Sequence, residues 1–553
     1  MNQPINQTTN QAVKIVTAAQ MTALEQASEA RGVSTDQLME NAGLAVAQVA
    51  REMMGGAAGA RVTALIGPGN NGADGLVAAR HLRRWGAEVT ACLLTRRSDP
   101  DPKLDLARQY GVSVIDLAGE ADEIGRGELE RLLKRSRLVI DAVLGTGRAR
   151  PLDGVVKQAS QLLSGCRIAG SGPVVLALDL PTGINSDTGM VDPACFTADV
   201  TVALANPKTG LVTLPGAAHT GSLRVVDIGL PAGVEDGVDL DLELLTDKWV
   251  ASRLPPRPLD SHKGTFGHAL VVAGSRNYVG AAFLASQGAV RAGAGLVTLA
   301  TPQSVYPMAA AKLTEVIHLP LPEDQDGRFH PDGVATLREA GGRYSAMLVG
   351  CGLGKSAGTS GFVERLLLDG PLDGAIDRPG RAPPVIIDAD GLNNLAQHAE
   401  WWRRLGRPAV VTPHPGEMAT LTGGAISTVQ EDRVATARHW AGSWNVAVVL
   451  KGPYTVVSDP DGLARIAPFA NPGLASGGTG DVLSGIIVAL LAQGLSTMDA
   501  ACCGVYLHGL AGESVRLRIG DTGAIATDLV QELPEIIDRV RHPNGPKRIG
   551  ETG

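Results

Sequence analysis

The residues whose spacing carries the most chemistry are fifteen near the C-terminus, Asn471-Pro-Gly-Leu-Ala-Ser-Gly-Gly-Thr-Gly-Asp-Val-Leu-Ser-Gly485. Glycines at 477, 478 and 480 leave backbone N–H groups open, a surface that suits a polyphosphate. The apolar stretch Val482 to Leu491 follows at once. The loop is therefore predicted to feed a helix N-terminus, where the dipole favours anions. One carboxylate, Asp481, sits inside this anion site. The plain alternative is a Gly-rich turn with an aspartate N-cap, but a cap needs no run of small residues on both sides. A base aimed at a hydroxyl about to meet a phosphoryl group gives the carboxylate a reason to be there.

Other segments of the same half end strand-like runs. They are His262–His268, Gly274–Ala281, Gly350–Lys355, Asp388–Asn393, Thr412–Glu417 and Lys451–Thr455. Gly354-Lys355-Ser356 has the look of a P-loop end, but that motif requires glycine at 349 and the chain has Val349. His414 stands between two prolines, so its backbone is stiff, and at a strand's carboxyl end it is expected to face a ligand. Lys451–Thr455 offers a cation and a hydroxyl for a nucleotide phosphate.

A second constellation lies in the N-terminal half. Gly67, Gly69 and Gly72 satisfy GxGxxG between a strand and a helical stretch from Leu76 to Trp85. The acidic residue expected after the next strand is replaced by Thr95-Arg96-Arg97, which disfavours a simple NAD-dependent dehydrogenase. Asn70, Asn71 and Asp74 add two amides and a carboxylate, enough to hold a cation or a sugar phosphate. Two further loops, Asp141–Arg148 and Asp179–Ser186, follow strands. Oxygen ligands from Asn71, Asp141 and Thr182 would suit a hard cation.

The elements that must position these groups read as two α/β units. The first has two helices over Thr17 to Met54, broken near Gly32–Ser34. Strand-like runs follow at 62–66, 89–94, 138–142, 174–179, 200–203 and 223–227. The second repeats the style at 269–273, 296–300, 346–349, 385–388, 409–412, 447–450 and 455–457. Such alternation predicts parallel sheets with helices on both faces and cleft residues at the strands' carboxyl ends. The proline-rich stretch Leu254–Asp260 cannot continue a helix or central strand, so the boundary is placed just before it. The assignment is 1–13 a tail, 14–245 the first domain, 246–541 the second and 542–553 a second tail.

With 553 residues the chain has ample core for two domains. Its net charge of -8 disfavours a nucleic-acid surface. Six cysteines without CxxC or regular spacing argue against a disulfide framework or zinc site and for a reducing compartment. No apolar run approaches the ~20 residues of a membrane span, so a soluble, cytoplasmic protein is expected. The small-residue stretch Ala42–Ala50 suggests a helix that packs against a partner, hence a homo-oligomer.

The order GNNGADG, DAVLGTG and DLPTGI over about residues 15–230 resembles the N-terminal domain of the YjeF family, the NAD(P)HX epimerases. Leu38-Met-Glu-Asn-Ala-Gly43 resembles that family's opening helix. The resemblance implies a Rossmann-like three-layer α/β/α fold. It places the hydrated nicotinamide dinucleotide on Asn70, Asn71, Gly72, Ala73 and Asp74 and on Gly145, Thr146, Gly147, Arg148, Ala149, Arg150 and Pro151. It puts Asp179 at the reacting ring and potassium on Asn71, Asp141 and Thr182. Ala73 departs from the family's usual glycine, and an alanine there would narrow the loop and resist positive φ.

In the second half, HKGTFG, TPHPGE, KGPYT and NPGLASGGTGDVLSG resemble the ribokinase-like carbohydrate kinases over about residues 250–540. Within that superfamily they are similar to the YjeF C-terminal branch, the ADP- or ATP-dependent NAD(P)HX dehydratases. This implies that Lys451, Gly452, Pro453, Tyr454, Thr455 and Gly480 contact the adenine nucleotide, with magnesium. It implies that Ala281, Gly354, His414 and Asp481 contact the hydrated coenzyme. Asp481 would then activate a hydroxyl that is expelled, and Asp179 would serve the exchange of C6 epimers. Two readings stay open beside this one: a small-molecule kinase, and an N-terminal half that only binds or assembles.

Overall fold

The computed structural model describes residues 12–118, 123–147, 151–168, 172–340, 344–369 and 382–543. It divides into two compact units, Val13–Leu242 and the chain from Glu243 on.

The first unit opens with β1 (Val13–Lys14) and two helices, Ala18–Ala30 and Thr35–Met53. Thr17 and Ser34 cap them, each in a reciprocal box with the glutamine three residues on, Gln20 and Gln37. The strands are β2 (Arg61–Ile66), β3 (Glu88–Leu93), β4 (Ser113–Asp116), β5 (Leu138–Ala142), β6 (Val174–Leu178), β7 (Val200–Leu204) and β8 (Ser222–Val226). They form one parallel sheet in the order β4-β3-β2-β5-β6-β7-β8. The order reverses direction between β2 and β5, which opens a crevice at their carboxyl ends. β4 carries no apolar run, because this edge strand is only partly buried.

Two sequence expectations change here. The helix expected from Leu76 starts at Asn70 and runs to Arg84, so the GNNGADG segment is its first turns and not a free loop. Gly72 and Gly75 are glycines because of close approach: a Cβ would collide with the Gly67 carbonyl at one and sit 2.5 Å from Ala142 Cβ at the other. Neither has positive φ, so Ala73, buried between them in the helix, needs no glycine. Second, the small residues of Ala42–Ala50 do not form a free face. Ala42, Val46, Ala47 and Ala50 lie in the unit's own core, and Gly43 meets Val77 and the Asp74 carbonyl of helix Asn70–Arg84. The structural reason for expecting an oligomer is therefore gone.

The second unit contains β9 (Leu242–Leu244), β10 (His268–Val272), β11 (Leu296–Pro302), β12 (Ile317–Leu321), β13 (Ala346–Val349) and β14 (Val385–Ile387). It continues with β15 (Ala409–Val411), β16 (Ala447–Leu450), β17 (Val456–Ser458) and β18 (Ala464–Ile466). Their order is β9-β18-β17-β16-β15-β14-β13-β10-β11-β12. β12 to β16 pair in parallel, and β16-β17-β18 is an antiparallel meander. Here the order reverses between β10 and β13. Helix Thr479–Ala492 is apolar on all sides and nearly all buried, as a central helix must be. It lies hard against helix Val279–Arg291: a Cβ at Gly485 would strike the Ala285 carbonyl, and one at Gly288 would sit 2.7 Å from the Val482 carbonyl. Among the described residues no helix is long and apolar enough to cross a membrane.

Two candidate active sites

In the second unit the run at 471–485 turns into its helix at Gly478, whose φ of 92° only glycine adopts at ease. Gly477 faces open space, and beside Gly480 stands only the Lys451 ammonium, 3.7 Å from where a Cβ would be. First-turn N–H groups have no carbonyl to bond within a helix. Asp481 is the third residue of that turn. Beneath it, His508 is buried and bonds the Thr479 carbonyl through Nε2 at 2.9 Å. Burial pulls its pKa down to about 4, so at neutral pH it is an uncharged prop that donates this bond.

Asp388, at the end of β14, is the hub of the site. Its Oδ1 lies 2.7 Å from the Lys451 ammonium, and its Oδ2 accepts from Ser484 Oγ at 2.7 Å. Lys451 is also 3.5 Å from Glu417 Oε2. Burial pushes the Asp388 carboxyl up, but the Lys451 charge and hydrogen bonds outweigh it and hold it below the usual range. Asp481 lacks such a partner. Burial first, then the negative charge of Asp388, raises its pKa to about 6. The site thus pairs a committed carboxylate with a second that is basic enough to take a proton yet ionised at neutral pH.

Cys351 completes a cluster with Asp388 and Asp481, ligand atoms within 4.8 Å of one another. It suits magnesium poorly. Burial pushes the thiol well up, thiolate is a soft ligand, and Asp388 already has Lys451.

The other second-unit residues singled out from sequence gather around this hub. His414 caps helix Pro415–Thr422: its Nδ1 accepts from Gly416 N and Glu417 N at 3.0 and 3.2 Å, which leaves Nε2 as the N–H side. Its side chain is 56 % exposed and open to a ligand. Gly452 has φ of 143° and lies against the Arg433 guanidinium, which bonds the Leu450 carbonyl at 2.9 Å. Thr455 Oγ1 donates to the Gly452 carbonyl at 2.8 Å and keeps its lone pairs. Tyr454, after Pro453, sits at φ 51°. Ala281 packs in helix Val279–Arg291 beside Gly352, and Gly354, φ 78°, borders a cavity of 260 Å³. Ser356 caps the helix after Gly354-Lys355, so that segment is a strand-to-helix turn.

In the first unit the groups meet at the carboxyl ends of β2, β5, β6 and β7. Asp141 is wholly buried. Both its oxygens accept from Thr182, Oγ1 at 2.7 Å and N at 2.8 Å, and burial raises its pKa to about 6. The Asn71 carboxamide stands next to Gly145, and its Nδ2 is buried without a partner. A buried carboxylate with no cationic side chain bonded to it, beside an amide and a hydroxyl, offers oxygen atoms that could hold a cation. Gly147 is open, and Leu152, after Pro151, donates to Asp192 at 3.0 Å. Arg148, Ala149 and Arg150 lie outside the described residues.

Asp179 ends β6 in the left-handed region, φ 66°, a conformation that costs about 1–2 kcal/mol and aims its carboxylate back at β7. There it accepts from Leu204 N at 3.1 Å and from the Lys208 ammonium. Lys208 is 1 % exposed and was not singled out from sequence. Nothing but a lysine after an Asn-Pro turn marks it there. Asp74 and Glu25 share the field of this pair. Both are raised mainly by burial, Asp74 well above its ordinary value, and Asp74 Oδ1 is buried without a partner. Arg97, where an acidic residue was sought, ties the Gly67 carbonyl to Asp101, at 2.5 Å from the latter.

Comparison with known proteins agrees with this division. Residues 269–535 match the family model described as NAD(P)H-hydrate dehydratase, and 35–210 match YjeF-related protein N-terminus. The bifunctional NAD(P)H-hydrate repair enzyme Nnr of Moorella thermoacetica is 39% identical over 95% of this chain and 96% of its own. That of Thermofilum pendens is 38% identical over 93% and 94%. A crystal structure of ADP/ATP-dependent NAD(P)H-hydrate dehydratase from Bacillus subtilis, co-crystallized with ATP/Mg2+, is 32% identical with a TM-score of 0.46 and covers 54% of this chain and 98% of that one. Through both units and across nearly its whole length, the chain belongs to the family of bifunctional NAD(P)H-hydrate repair enzymes.

Proposed function

We propose that the chain repairs hydrated NADH and NADPH, with an isomerase in its first unit and a lyase in its second. The first converts R- to S-NAD(P)HX. The second dehydrates the S form, giving AMP from ADP or ADP from ATP, together with phosphate. The observation that carries the reading is Asp481: a carboxylate with a pKa of about 6, at an anion-binding helix start, beside a carboxylate already neutralised by lysine.

Hydroxide is a poor leaving group. Asp481 takes the proton of the C6 hydroxyl, and that oxygen attacks the terminal phosphorus of the nucleotide. The nucleotide leaves, shortened by one phosphoryl group. The C6–O bond then breaks, pushed by the lone pair of the ring nitrogen, and phosphate departs with the oxygen; the iminium left behind loses its C5 proton to that phosphate, which restores the C5–C6 double bond of the reduced coenzyme. N–H groups of the glycine run and Lys451–Thr455 hold the donor. Ala281, Gly354 and His414 hold the hydrate. Magnesium, carried on the nucleotide's own phosphates, would supply charge neutralisation.

In the first unit Asn70–Asp74 and Gly145–Pro151 bind the hydrate, and Asp179 is placed for proton exchange at the ring. Potassium on Asn71, Asp141 and Thr182 would brace the crevice electrostatically. Six free, buried thiols suit the reducing cytoplasm in which reduced coenzymes are found.

One assay tests the whole. The protein is mixed with epimeric hydrated NADH, magnesium and ADP or ATP, and the absorbance of regenerated NADH is followed. Full recovery with free phosphate is expected. Recovery that stops at the S fraction removes the epimerase, and a stable phosphorylated product replaces the lyase by a kinase.

A further inference from the structure

The 260 Å³ cavity beside Gly354 is built for an anion. It lies at the crevice where the strand order reverses between β10 and β13, the place where open α/β sheets take their ligands. Its walls come from strand ends around that crevice: Arg276 and Tyr278 after β10, Arg328 after β12, Lys355 after β13 and Asp390 after β14. The carboxylates on its wall are hydrogen-bonded or paired, though Asp390 meets only neutral donors and keeps its charge. Asp390 Oδ2 accepts from Gly354 N at 2.9 Å, and Asp326 pairs with Arg328 at 3.3 Å. The cations are less so. Among the described residues Lys355 has no hydrogen bond or ion pair, and Arg276 bonds only the neutral Gln325 carbonyl, at 3.3 Å. With Arg276, Arg328 and Lys355 against Asp326 and Asp390, the wall carries a net positive charge.

Its place in the sheet tells which anion. Lys451–Thr455 leaves β16, two strands to one side of Asp388 on β14. The cavity spans β13 and β10, on the other side. Lys451 reaches Asp388 at 2.7 Å from the β16 side, and the cavity adjoins the same strand end from the β13 and β10 side, where Asp390 bonds Gly354 N. A donor phosphate on one side leaves the cavity to the second substrate. The volume is too small for a whole dinucleotide, so it takes a charged part of one. Tyr278, 55% exposed at the rim, offers a face for a flanking ring.

We infer that Arg276, Arg328 and Lys355 form the subsite for the bridging pyrophosphate of the dinucleotide hydrate; this rests on the repair reading above. Pyrophosphate brings two negative charges, for which the two under-committed cations and Arg328 provide charge-assisted bonds.

The test compares hydrated NADPH with hydrated reduced nicotinamide riboside, which has no phosphate. Each of Lys355→Gln and Arg276→Gln should raise KM for the dinucleotide about tenfold, and the pair about 100-fold. KM for ADP or ATP and for the riboside hydrate should stay within about twofold, and Lys355→Arg should retain most of the affinity. An unchanged dinucleotide KM overturns the proposal. So does a raised nucleotide KM, which would put donor phosphates in the cavity, or an equal penalty on the riboside. Calorimetric titration with NADPH supplies a second readout: one binding event should weaken about tenfold in Lys355→Gln, and none weakening overturns the subsite. Wild-type protein that consumes neither hydrate defeats the repair reading instead, and the titration still decides the subsite.

Discussion

Each unit holds a buried aspartate–lysine pair beside a second carboxylate, but the two arrangements differ in solvent access. In the second unit Lys451 retains 18% exposure and the paired Asp388 is 2% exposed. The neighbouring Asp481 has no bonded cation, only the Cys351 thiol, at a helix start open to anions. In the first unit Lys208 is 1% exposed and its partner is Asp179, the residue expected to work at the ring. The unpaired neighbour there is Asp74, inside the helix that follows the glycine turn. The second unit separates the counter-charge from the base. The first folds the candidate acid/base into the pair itself. The comparison teaches that a buried pair can stand beside the candidate reactive carboxylate or contain it, and that the neighbouring carboxylate distinguishes the two arrangements.

The largest effect that would sharpen this contrast is on Asp481. Asp481→Asn should lower dehydration turnover by about 10³–10⁴ while ADP or ATP still binds, measured by NADH recovery and nucleotide titration. Turnover within tenfold of wild type would break the separation of base from anchor. Next come the pairs. Lys208→Met leaves a carboxylate buried without its ion, at a cost of about 3–5 kcal/mol. Lys451→Met orphans Asp388, at 2% exposure against 9% for Asp179, and should cost at least as much; a smaller fall in melting for Lys451→Met would reverse the comparison. Third, Asp179→Asn should slow R-to-S conversion by about 10² or more and leave dehydration of the S form intact. If conversion survives in Asp179→Asn but not in Asp74→Asn, both units use the unpaired carboxylate.

A smaller effect is on pH. A base with a pKa of about 6 works only when ionised, so dehydration kcat should be flat above about pH 7 and fall tenfold per unit below about pH 6. The sign is that of a raised carboxylate: protonation on the acid side removes the base. A break near pH 4 would show Asp481 freely solvated. The smallest expected change is a rise of a few degrees in the melting of the first unit in KCl over choline chloride, absent in Asp141→Asn, read by calorimetry.

Much of this was legible before any coordinates. The strands at 62–66, 138–142 and 269–273 are short Val/Ile/Leu/Ala runs bounded by Gly and Asp, because both faces of a parallel sheet are covered. β4 and β12 were not, since edge strands are half exposed and carry no continuous apolar run. The start of helix Asn70–Arg84 was misplaced because glycines read as a loop from composition alone. Here they mark where a helix passes close to Gly67 and Ala142.

By itself the sequence determined the chemistry on offer: a glycine-lined anion site with one carboxylate, a second nucleotide-shaped turn, and the strand ends that deliver both. Those are local, since motif spacing and hydrophobic period are properties of neighbouring residues. Only the tertiary structure decided which groups share a site. Lys208 meets Asp179 across 29 residues, Ser484 meets Asp388 across 96, and Cys351 stands 37 residues from the carboxylate it faces. Charge interaction depends on separation in space and on burial, and neither is written in residue order until the sheet brings the strand ends together.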